Sequence, residues 1–186
     1  MISYDIKKIG KLIAWGSEHI VYEYDSDKVL KYSILHYIIG AKALARAERE
    51  IMMCKKYLGE YVLDTEIGVS SNGRHVAHIQ RRLFGHPLMV RDVTNEKVRE
   101  NFKEMMERYD ALVHVEGIHI DLMGSDGVLS GRLANIFVTN DNELRIVDAT
   151  LLDARDIGLV GPLFHALGIF VVWRQNQILR NFRTAC

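Results

Sequence analysis

Leu133-Ala134-Asn135-Ile136-Phe137-Val138-Thr139, the polar Asn140-Asp141-Asn142-Glu143, and Leu144-Arg145-Ile146-Val147-Asp148-Ala149-Thr150 decide how this chain is read. Two short apolar runs flank four turn-forming residues, which predicts a β-hairpin over residues 135–139 and 144–147. Asn135 stands at the start of the hairpin and Asp148 just after its end, 13 residues apart. An amide oxygen and a carboxylate brought together at the ends of a hairpin are hard ligands of the kind Mg²⁺ takes, with phosphates and waters filling the other positions. The plain alternative is a turn-capping Asn and a strand-end Asp.

Working outward, residues 6–32 read as strands, with a hairpin turning at Asp25-Ser26-Asp27. A long helix is predicted over residues 37–58, where Ala41, Leu44, Ala47, Ile51, Met52 and Leu58 recur at steps of three and four and Gly59 stands at the C-cap. Residues 67–70 and 75–82 read as a second hairpin around Ser71-Asn72-Gly73-Arg74, with strand content ending near Phe84-Gly85. A helix over residues 95–115 follows, with the apolar stripe Val98, Phe102, Met105, Met106, Tyr109, Leu112 and Val113. Residues 117–122 suggest a short strand, and the glycine-rich residues 123–131 a loop. Residues 161–182 suggest a buried terminal helix, broken or kinked near Gly168.

A mostly β half with one helix, followed by a mostly helical half with an inserted hairpin ending in an acid, resembles the protein kinase-like fold. Single residues carry the resemblance further. Ala14-Trp15-Gly16-Ser17-Glu18-His19-Ile20-Val21 is similar to the G-x-G-x-x-G-x-V phosphate loop, keeping only the central glycine, so Gly16, Ser17 and Val21 are its candidate nucleotide contacts. Val29-Leu30-Lys31 resembles the V-A-x-K strand whose Lys meets phosphate and pairs with a helix carboxylate. At about 100° per residue Glu48 falls inside the expected apolar sector, making it the partner of Lys31, with Glu50 the alternative. The resemblance also implies an adenine-binding hinge over residues 80–82, from Gln80 to Arg82, and a metal pair in Asn135 and Asp148. The cofactors implied are ATP and Mg²⁺.

The pattern departs from the family in three places. Ala149-Thr150 replaces the Phe-Gly that follows the metal Asp, removing the pivot of regulated kinases. The catalytic Asp should lie five residues before the Asn, where this chain has Ser130. A serine hydroxyl is a poor proton acceptor at neutral pH, so on that register the chain is a pseudokinase. Gly117-Ile118-His119-Ile120-Asp121-Leu122, however, is similar to the G-I-x-H-x-D-L entry to the catalytic loop of small kinase-like enzymes. On that register Asp121 is the base, 14 residues before Asn135, and Asp126 is a further candidate. Finally, only 38 residues follow Asp148, too few for a peptide-kinase activation segment. The closest pattern is that of abbreviated atypical, RIO-like kinases.

The expectation is therefore an α+β, bilobal kinase-like fold with a β-rich N-lobe over residues 1–85 containing one long helix, and a minimal, mostly helical C-lobe over residues 86–186. Its partners would be a nucleotide and a protein or small-molecule acceptor. Composition fits one globular unit: 186 residues, 48% hydrophobic, with 24 basic against 24 acidic residues. That balance supplies no general attraction for nucleic acid or a membrane surface. Two cysteines, Cys54 and the last residue Cys186, form no disulfide or zinc pattern, and the first eleven residues lack a signal-peptide core. These features fit a cytoplasmic protein.

Overall fold

The computed structural model of the chain describes residues 2–15, 19–70, 75–153 and 161–186. It is a mixed α+β structure in two compact units, one made of Met1–Ile51 with Leu63–Leu83, the other of Met52–Val62 with Phe84–Cys186.

The first unit is built on six strands: β1 (Ile2–Ser3), β2 (Ile9–Trp15), β3 (His19–Tyr24), β4 (Lys28–Ser33), β5 (Thr65–Val69) and β6 (Val76–Arg81). Their order across the sheet is β1-β5-β6-β4-β3-β2; all neighbours are antiparallel except β1 with β5. The hairpin predicted at residues 25–27 joins β3 to β4, with Asp25 at φ 59. Strands β5 and β6 pair as expected, while their connection, residues 71–74, lies outside the described residues. Leu30, Ile79, Ala77, Tyr4 and Tyr24 form one apolar cluster; Ala43, Ala47 and Val76 form another.

The predicted long helix is interrupted. Ser33 caps α1 (Ile34–Ile39), accepting the His36 N–H on its hydroxyl at 3.4 Å. Gly40 then takes φ 56, a 3₁₀ turn follows, and α2 runs over Ala43–Leu58 before Gly59 at φ 54. This break resets the helical phase. At about 100° per residue the face of α2 holding Ala43, Ala47, Cys54 and Leu58 includes Glu50 and Arg46 and excludes Glu48. Glu50 is accordingly buried and Glu48 exposed, the reverse of the expectation drawn by carrying the stripe through from Ala41. Ala41 is itself exposed, and Met52 is 67% exposed.

The second unit has a three-stranded sheet of β7 (Gly85–Leu88), β8 (Leu133–Thr139) and β9 (Leu144–Ile146), in that order. Strand β7 corrects the expectation that strands end near Phe84-Gly85. It exists because β8 offers it a pairing edge, and Gly85, at φ 155, lets the two backbones approach: a Cβ there would collide with Val138 O. Helix α3 (Glu96–Glu116) follows its prediction, with Asn95 accepting the Val98 N–H at 3.2 Å and Gly117 left-handed at φ 65. The glycine-rich stretch expected to be a loop instead contains a short helix, α4 (Gly124–Ser130). Residues 117–122 form no strand, only a bridge from Ile120 to Leu151. Helix α5 (Gly161–Ala185) is one continuous helical run, so of the break or kink expected near Gly168 the break is not found. Its second half inserts Ile178, Leu179 and Phe182 into a core with Phe102, Met105, Leu112, Leu133 and Ile146. Its first half is not buried, again contrary to expectation. No helix among the described residues is long and apolar enough to cross a membrane.

Candidate functional site

The second unit brings Asp121, Asn135 and Asp148 together through the main chain. Val147 N–H donates to Asn135 O at 2.9 Å, extending the β8–β9 ladder so that Asp148 begins beside Asn135. Asn135 N–H donates to Leu122 O at 3.2 Å, and Asp121 N–H donates to Thr150 O at 3.0 Å. Leu152 N–H to His119 O, 2.8 Å, completes the small bridge that ties residues 119–121 to 150–152. Side chains reinforce this frame. The Asn135 amide donates from Nδ2 to Asp121 O at 2.8 Å, and the Thr150 hydroxyl donates to Asp148 Oδ1 at 2.9 Å. The Cys54 thiol reaches Ala149 O at 3.6 Å.

With Nδ2 committed, the rotation of the Asn135 amide is fixed, and its other atom, Oδ1, lies beside Gly124. A Cβ at Gly124, whose φ is 63, would stand 2.9 Å from that oxygen. The missing Cβ at Gly124 thus leaves room beside an oriented amide oxygen, and the β8–β9 ladder brings the main chain of Asp148 next to that of Asn135. Among the described residues no group of three or more His, Cys, Asp or Glu gathers as a metal cage. Magnesium does not need one: it is commonly held by one or two protein oxygens, with phosphates and waters supplying the rest. The residues present fit that pattern.

Asp121 is 1% exposed, and its Oδ1 accepts from the N–H groups of Met123 at 3.0 Å and Gly124 at 2.9 Å. The competing registers are placed elsewhere. Asp126 lies on α4, exposed and paired with Arg132 at 3.2 Å, and the exposed Ser130 donates its hydroxyl to Asp126 O. Asn135 therefore bonds the segment carrying Asp121.

Gln175, on α5, is a positioning residue that sequence reasoning missed. It is 0% exposed; its Oε1 accepts Leu122 N–H at 2.7 Å, and its Nε2 donates to Ile120 O and to the Tyr109 hydroxyl, both at 3.0 Å. That hydroxyl lies 2.8 Å from His119 Nδ1. A phenol accepting from Gln175 sends its own hydrogen to Nδ1, which selects the Nε2–H tautomer of a neutral His119. Burial lowers the His119 pKa and, more strongly, raises that of Tyr109, so both stay uncharged. The signal for Gln175 in the sequence is its place on the helical face of Ile178, Leu179 and Phe182.

In the first unit, Lys31 lies on the interior strand β4, partly buried, opposite Val21 of β3 and His78 of β6. Glu50 accepts from Arg46 Nε at 2.9 Å and meets His36 Nε2 at 3.3 Å, with all three side chains buried. Gln80 is buried on β6 opposite Val29 and Thr65, and its Nε2 donates to Thr65 Oγ1 at 2.8 Å. The Arg82 N–H donates to Asp27 O at 2.7 Å. Residues 80 and 81 are thus paired within the sheet, and Arg82 is tied to the β3–β4 turn. Gly16 and Ser17 lie outside the described residues.

No family model matches the chain, and no curated protein matches it in sequence.

Proposed function

We propose that the chain is a small kinase-like phosphotransferase of bilobal type that binds Mg-ATP and transfers the γ-phosphate to an acceptor hydroxyl. The observation that carries this reading is the Asn135 amide bonded to the Asp121 carbonyl, with Asp148 beside it across the hairpin. Magnesium, when bound, would neutralise phosphate charge. Asn135 Oδ1 and the Asp148 carboxylate would hold it, and the Asp121 carboxylate would take the proton of the acceptor hydroxyl. Lys31 would supply a phosphate-facing cation, with the buried Glu50, not Glu48, as the carboxylate that orients it. Such chemistry rests on positioning and charge neutralisation, which a rigid frame of main-chain bonds provides.

A second reading, a nucleotide-binding pseudokinase, is favoured by one observation. The two N–H groups that donate to Asp121 Oδ1 hold it as the N-terminal brace of α4. Two measurements separate the readings. Mg-ATP should raise the melting temperature of the wild type and not of Asp148→Ala, since only a ligand of the native state stabilises it. Loss of γ-phosphate in a single turnover, abolished in Asp121→Asn with the thermal shift retained, marks the enzyme. A thermal shift without turnover in the wild type marks the pseudokinase, and no shift at all removes both.

A further inference from the structure

The first half of α5 has no place in the site just described. Gly161–Trp173 contains thirteen residues without one Asp, Glu, Lys or Arg, yet none of residues 162–173 is buried. Leu163 is 62% exposed, Leu167 51%, Ile169 60%, Phe170 48% and Trp173 55%. With Pro162, His165 and Ala166 these cover an arc of about 200° around the helix, at about 100° per residue. A Cβ built at Gly168 would meet nothing within 4 Å. Scattered exposed apolar residues are ordinary, but a continuous apolar surface of this kind marks a binding face.

We propose that this segment docks on an anionic lipid surface, lying in the plane of one leaflet. Three observations select lipid over a second copy of the chain. A helix packed against a partner helix needs an apolar stripe of only about 100°, whereas lipid can cover the whole exposed arc. The segment continues into the half of α5 that is packed from Gln175 onward, and its length of about 20 Å is short of the roughly 30 Å of a bilayer's hydrocarbon. Charge and aromaticity also fit. Gly161–Ala185 contains no acidic residue; Arg183 pairs with Asp110 of α3 at 2.7 Å, so the positive charge of this face rests on the exposed Arg180 and on Arg174, which follows Trp173 at the end of the apolar run. Tryptophan is enriched at membrane–water interfaces, and arginine attracts anionic headgroups. The balanced net charge of the whole chain conceals this local asymmetry. The inference is independent of the nucleotide reading.

Flotation of the full chain with vesicles of phosphatidylcholine, with or without phosphatidylglycerol, tests it. The protein should float with the mixed vesicles, less with phosphatidylcholine alone, and less as Arg180→Glu. The double variant L167E/F170E should float at least about tenfold less, because burial of even one such side chain is worth that factor. In a Trp15→Phe background, acyl-chain-brominated lipid should quench Trp173. Matching far-UV circular dichroism verifies that the variants are folded. No flotation, equal flotation of the double variant, or an unquenched Trp173 overturns the proposal. So does a dimer seen by light scattering that the double variant breaks while flotation persists.

Discussion

The Asn135 side chain donates to the main-chain carbonyl of Asp121 at 2.8 Å across 14 residues of sequence. One amide thereby fixes two things, the path of the segment carrying the buried acid and the direction of its own oxygen. Leucine at position 135 would satisfy neither.

Asn135→Asp separates these effects. It keeps an oxygen but replaces the N–H donor with an acceptor facing the Asp121 carbonyl, so it should lower stability by about 1–2 kcal/mol and remove most of the Mg-ATP thermal shift. Gly124→Ala should act from the other side. It forces a Cβ into a left-handed position at about 1–2 kcal/mol and against Asn135 Oδ1. Urea melts of both variants, with and without Mg-ATP, measure the effect; full retention of the ligand shift in Gly124→Ala would contradict the assigned orientation of the amide.

Gln175 makes three bonds to two different segments, so Gln175→Leu should cost more than a typical substitution. It leaves the Leu122 N–H and Ile120 O buried without that partner, at about 1–3 kcal/mol for each group. The expected result is a clearly lower melting temperature with faster hydrogen exchange at the Leu122 amide. Protection at Leu122 unchanged from wild type would remove the positioning role.

The two glutamates of α2 show how far the sequence could be read. Elements with strong local signals were legible: the Asp25 turn, the capped and striped α3, and the β8–β9 hairpin that joins Asn135 to Asp148. The orientation of α2 was not, because its phase depends on Gly40, whose left-handed φ ends one helix six residues after it begins. Strand β7 and helix α4 were hidden for a related reason. The first depends on a distant edge, and the second on Asp121 capping from outside the helix. Glu50→Gln, which takes the charge from the buried Arg46–Glu50 contact, should therefore destabilise by about 1–3 kcal/mol, whereas Glu48→Gln should stay within about 0.5 kcal/mol. Chemical denaturation of the pair decides between the faces, and equal effects would refute the burial described.

His119 sets the pH response of the frame. Burial lowers its folded-state pKa from the ordinary 6.5. A base whose pKa is lower in the folded state takes up its proton first in the unfolded chain, so acidification through about pH 6.5 favours unfolding until the folded-state pKa is passed. The stabilisation is therefore complete above that window and declines below it. Protonation also forces the ring to donate from Nδ1, turning it against the Tyr109 hydroxyl hydrogen and so loosening the bond Gln175 makes to that oxygen. Melting temperatures of wild type and His119→Gln from pH 8 to 5 should converge as the pH falls, because the variant lacks this proton uptake. A constant difference across the range would mean that His119 does not titrate against the fold, and that the Tyr109–Gln175 brace holds the Asp121 segment independently of the imidazole.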